Sequence, residues 1–219
     1  MANDAAKIRF APNGGLFMAP APGTAGATTV LPSDVGDGKA APEGYQGLGY
    51  VDEGGVTITP SIETDPVNVW QSAVPVLYNV KSAAFQVKAT LMEFNQLTTE
   101  LFFGAKWVPV KDEQGQTTGS YRLDLSSTPE LSELSLVVDW SQKGILYRCV
   151  VPRAMVSDRG AIQLQRAENG KFELTIDALD SAGRLGYVLT NDDVLGLGIA
   201  PPTEGGSGSG PESDFALAA

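Results

Sequence analysis

The run KFELTIDAL, residues 171–179, alternates without a break. Phe172, Leu174, Ile176 and Ala178 fall to one side, and Lys171, Glu173, Thr175 and Asp177 to the other. A period of two is the mark of a strand with one covered face and is incompatible with a helix. The same beat recurs along the chain. AFQVKATLM sets Phe85, Val87, Ala89 and Leu91 against Gln86, Lys88 and Thr90, and LSELSLVVDW sets Leu134, Leu136, Val138 and Trp140 on one face. VPVLYNV places Val74, Val76, Tyr78 and Val80 together, which predicts another buried face. GILYRCVV follows Ser141–Lys143 as the return strand of a hairpin, and Asn169-Gly170 reads as a tight turn joining AIQLQ to KFELTIDAL. Lys111–Gly119 is a polar loop between WVPV and SYRLDL.

One stretch breaks the pattern. In NQLTTELFFG, Asn95 is placed to cap a helix, Leu97 and Leu101 share a face, and Gly104 ends it. The expected fold is mainly β: roughly eight to ten strands in an antiparallel β-sandwich or rolled barrel, with one short helix and a long extended arm.

The arm is legible as composition. Residues 11–49 are rich in Gly, Pro, Ala and Thr, which disfavour helix and interrupt strands. They also carry Phe10 just ahead, then Leu16, Phe17, Met18, Val30, Leu31 and Tyr45, enough apolar anchors to lie down on a surface. The expected organisation is an arm over 1–33, an acidic connector over 34–70, a β-sandwich over 71–198 and a linker-like tail over 199–219.

Charge follows the same division. The net charge is −11. Residues 30–66 hold Asp34, Asp37, Glu43, Asp52, Glu53, Glu63 and Asp65 against Lys39 alone, and residues 191–219 hold five acids and no base, whereas 67–190 is nearly balanced. A chain that grips phosphates needs a basic patch, and this balance is the reverse.

Several chemistries are excluded. There is no histidine, which removes Ser-His-Asp and Cys-His nucleophile systems and imidazole metal sites. Cys149, the single cysteine, sits in a strand-like apolar run and reads as a buried thiol. Gly47-Leu48-Gly49 lacks the third glycine and the following helix of a dinucleotide loop. Asp52-Glu53 and Asp192-Asp193 are cation candidates without calcium-loop spacing, the other reading being a solvated turn. No catalytic residue, cofactor or metal site is expected. The start shows no basic stretch followed by an apolar core, so no secretory signal is expected, and no run has the length of a membrane helix.

The order of several segments carries a resemblance: FMAPAPGTAGATTVLP, then YQGLGYVDEGGVTITPSIETDPVNVWQ, FQVKATLMEFNQLTTELFFG, and YRCVVPRAMVSDRG with FELTIDAL. Over roughly residues 10–190 the chain resembles the major tail proteins, or tail tube proteins, of long-tailed phages, in particular those of phages of actinobacteria. The resemblance implies a non-enzymatic virion protein, assembled in the host bacterial cytoplasm. Its subunits would close hexameric rings whose sheets join into one barrel, and the rings would stack into a tail tube. Its partners would be itself, the tape measure protein and the tail terminator and tip proteins, with DNA passing through without specific binding and no membrane insertion. On this reading Tyr50, Val51, Asp52, Glu53 and Trp70 are inter-subunit contacts. A capsid decoration protein or another virion β-sandwich is one alternative, and a carbohydrate-binding β-sandwich is the other.

Overall fold

The computed structural model describes residues 3, 5–38, 40–128 and 131–193. Its strands are β1 (Asn13–Pro20), β2 (Gln46–Gly47), β3 (Val51–Val67), β4 (Leu77–Leu91), β5 (Trp107–Lys111), β6 (Thr117–Leu123), β7 (Leu134–Gln142), β8 (Ile145–Arg159), β9 (Phe172–Ala178) and β10 (Tyr187–Thr190). The helix α1 (Gln96–Phe103) stands between β4 and β5, and a single 3-10 turn covers Ala5–Lys7. Every pairing is antiparallel, so the expectation of a mainly β, antiparallel fold with one helix holds.

The main sheet runs β2-β1-β7-β8-β9-β4-β3, with β10 added beside β8, while β5 and β6 form a separate hairpin. Its core-facing residues extend from Leu16 on β1, through Leu136, Val151, Ile176 and Val87, to Val56 and Ile58 on β3, all in one cluster. A single sheet is therefore rolled around that cluster. It is not closed into a barrel among the described residues, because β3 has β4 alone as a partner.

The strongest alternations land as expected. Val87, Ala89 and Leu91 are buried, as are Phe172, Leu174 and Ile176 on β9 and Leu134, Leu136 and Val138 on β7. Lys143 and Gly144 both take positive φ, 51° and 84°, the pair a two-residue hairpin needs between β7 and β8. The helix begins where Asn95 accepts a bond from the Thr98 N–H at 2.8 Å and ends at Gly104, φ 66°. Its buried face is Thr98, Thr99 and Phe102, however, with Phe102 edge-on to Phe172 at 5.2 Å. Leu97 and Leu101 are only partly covered and line a groove.

Two expectations fail. AIQLQ forms no strand. The reason is occupancy: β9 already pairs with β4 on one edge and with Ala154–Arg159 of the long β8 on the other. VPVLYNV has no buried face, and Val74, Val76, Tyr78 and Val80 are all exposed. Val74 and Val76 lie in a turn ahead of β4, and only Tyr78 and Val80 belong to the strand.

The Gly/Pro-rich segment lies on the sheet. Its strand β1 pairs with β7 along all eight residues. On the sheet's second face Ala19, Tyr45, Val137 and Val150 form a smaller cluster, flanked by Phe17, Leu31 and Tyr187. Arg148, buried beside it, makes a two-bond ion pair with Asp139 (2.8 and 2.7 Å) and donates to the Asp34 carbonyl at 3.1 Å. Tyr187 donates to the Pro32 carbonyl at 2.6 Å. Burial raises the Cys149 thiol pKa to about 11. The tail over 199–219 lies outside the described residues.

Candidate assembly surface

Beyond the row Gln86–Asp177, β9 stops and the β3–β4 ribbon continues with two strands only. Register decides what each side of it carries. Val56 pairs with Ala89, Ile58 with Val87, Pro60 with Phe85, Ile62 with Ala83, Thr64 with Val80 and Pro66 with Tyr78. Paired residues share a face, so this series is one continuous surface. Glu63 pairs with Ser82 but Thr64 with Val80, making Lys81 an extra residue, a bulge that keeps Val80 and Tyr78 on the side of Ala83. The inner half of this surface is core, with Val87 1% exposed. The outer half, with Ile62, Val80 and Tyr78, is 61–70% exposed. Ser61, Glu63, Asp65, Asn79 and Ser82 take the opposite face, where Glu63 meets Lys81 at 3.0 Å.

The tip is apolar too. The turn between the strands is held by the Val76 N–H on the Val67 carbonyl (3.0 Å) and by Ser72 Oγ on the Val74 carbonyl (2.8 Å). It presents Trp70 at 98% exposure, with Val74 and Val76. Covering one such indole removes on the order of 200 Å² from water, a gross gain of about 5 kcal/mol before the costs of association. Prolines at 60, 66 and 75 mark the region as edge and turn, because a central strand needs every N–H. They were the signal in the sequence against a buried VPVLYNV.

The other residues singled out lie at the base of the ribbon, some 50 Å of strand from Trp70. The Tyr50 ring is exposed, and its N–H donates to Glu93 Oε1 at 2.8 Å. Gly49, φ 86°, passes so close that any side chain there would overlap the Glu93 carboxyl. Val51 pairs with Leu91 and packs on the core, and the next register match is Val56–Ala89, so Asp52–Gly55 form an irregular bulge. Asp52 accepts from Lys171 and from the Gly54 N–H, both at 2.8 Å; Lys171 first and that N–H second hold its carboxyl below the usual range. Glu53 is exposed. The structure thus brings four of the five together and leaves Trp70 apart. The stretch is an irregular bulge, and Gly49–Glu53 line a cleft of about 500 Å³ with Gly14, Gly15 and Trp140.

Among the described residues no group of three acids or cysteines is placed to hold a metal ion. Asp192 is buried, where it takes Arg9 at 2.8 Å and the Tyr147 hydroxyl. An aromatic cleft lies beside α1, lined by Phe94, Trp107 and Tyr121 with Asn95, Gln96 and Thr99.

The described residues thus form a rolled sheet whose core-facing side runs out past its own core. Residues 1–199 match the model of the phage tail tube protein family, and the chain belongs to that family. It is a structural protein of the virion tail. No curated protein matches it.

Proposed function

We propose that the chain closes hexameric rings that stack into the tail tube, the conduit through which DNA is ejected into the host, and that it does so without catalysis. The observation that carries this reading is the β3–β4 ribbon, whose apolar side continues the domain core into solvent. The unpaired edge of β3 supports it, since a long open edge invites strand pairing and ring closure would satisfy it. Glu63 on the polar side, with the net charge of −11, suits a lumen that lets DNA slide by repelling phosphates. Assembly would take place in the bacterial cytoplasm with the tape measure, terminator and tip proteins, and Tyr50, Val51, Asp52 and Glu53 would meet a neighbour at the base of the ribbon.

The test replaces residues 63–82 by Asn-Gly, which shortens the ribbon at its own register. The expected product keeps the circular dichroism and thermal transition of the parent but stays monomeric, while the parent forms rings and tubes in negative stain. A shortened protein that builds the same tubes would overturn the reading.

A further inference from the structure

The exposed tip has a counterpart elsewhere on the molecule. The groove beside α1 is lined on its apolar side by Met18, Leu97, Leu101, Leu131, Met155 and Val156, and holds about 180 Å³. Leu131 stands at its mouth and is 64% exposed. Its charged lining is Lys106, Arg159 and Glu100; Glu100 accepts from the Gln96 amide at 2.9 Å and the Trp107 N–H at 3.1 Å, and among the described residues neither base has a carboxylate within ion-pairing distance. The tip region has the opposite character. Residues 61–80 contain Glu63 and Asp65 and no base. Glu63 is engaged by Lys81, whereas Asp65, two residues before the strand ends at Val67, has no ion-pair partner among the described residues. The aromatic cleft on the other side of α1 has no charged lining residue and so lacks this match.

Geometry excludes the contact within one chain. Met155 lies in the row of Asp177 and Gln86, nine residues along β4 from Leu77. That is about 30 Å of strand, and the tip lies farther out in the same direction. A knob at one end and a matching socket at the other make a heterologous contact, which propagates instead of closing on itself.

We propose that the tip of the β3–β4 ribbon, anchored by Trp70, Val74 and Val76, seats in the α1 groove of a second copy, with Asp65 meeting Lys106 and Arg159. This rests on the tube reading and adds to it the acceptor surface that joins successive subunits head to tail.

The test is cross-linking of full-length chains. One chain carries Val74→Cys, and the other, made longer by a tag, carries Leu131→Cys. Both sites are exposed, so folding is unaffected, and native Cys149 is buried. Mild oxidation is expected to give at least tenfold more mixed disulfide dimer than a control pairing Val74→Cys with Lys143→Cys. Adding Lys106→Glu and Arg159→Glu to the acceptor is expected to reduce the yield about tenfold, and Asp65→Lys on the donor to restore it. A mixed dimer no more abundant than the control overturns the proposal, as does a yield indifferent to the charge reversals. Electron microscopy of the unmodified protein separates the two ideas. Tubes without the cross-link overturn the docking and leave the tube standing. The cross-link without tubes supports the docking and removes the tube.

Discussion

The inner and outer halves of the β3–β4 ribbon share two strands and, across the bulge at Lys81, one apolar side, yet they have opposite fates. The inner half, with Val87, Ala89 and Ile58, is sealed by β9, by the rolled sheet and by α1. The outer half, with Ile62, Val80 and Tyr78, has nothing over it among the described residues. The difference does not lie in the residues, since both halves alternate equally well. It lies in how far β9 reaches, and its pairing with β4 ends at Asp177 opposite Gln86. The Gly/Pro-rich segment supplies the converse. It is poor in strand formers but stays on the sheet, because β1 finds a free edge on β7 and Arg148 and Tyr187 hold the chain that follows.

The sharpest way to break the comparison is the same substitution in both halves. Val87→Asp places an unpaired charge in the core and should cost at least about 4 kcal/mol, read by urea denaturation, or prevent folding. Val80→Asp should leave the stability of the isolated subunit within about 0.5 kcal/mol and abolish assembly in sedimentation. Equal losses at both positions would mean that the outer half is covered within a single chain.

Arg148→Met tests the covered arm. It leaves the Asp139 carboxylate buried without its cation and frees the Asp34 carbonyl, at a cost of about 3 kcal/mol. Hydrogen exchange should rise first over residues 31–38. Unchanged exchange there would show that apolar anchors alone hold the segment.

A smaller effect follows from Cys149. Its thiol stays protonated up to about pH 11 in the folded chain against an ordinary 9.0. Below pH 9 both states hold the proton and stability is unaffected. Between 9 and 11 the unfolded chain ionises first, so stability falls as pH rises, by about 2–3 kcal/mol at the upper limit. Cys149→Val should remove that part of the slope in denaturation curves measured from pH 8 to 11. With Val80→Cys added to it, a thiol reagent should find the new cysteine readily in free subunits and poorly in assembled ones.

Much of the fold follows from local chemistry that the chain carries residue by residue. An alternating run such as KFELTIDAL has to be a strand, because only an extended backbone puts every second side chain on one side. Asn95 and Gly104 bound the helix because their side chain and backbone satisfy groups that any helix leaves open. Such signals say that a face is apolar, not what covers it. AIQLQ lost its strand because both edges of β9 were already taken, and Val80 and Tyr78 lost their cover because β9 is shorter than β4. The groove beside α1 needs Met18, Leu101, Leu131 and Met155 from four separate parts of the chain. Strand identity is a property of a few neighbours in sequence, whereas cover is a property of neighbours in space.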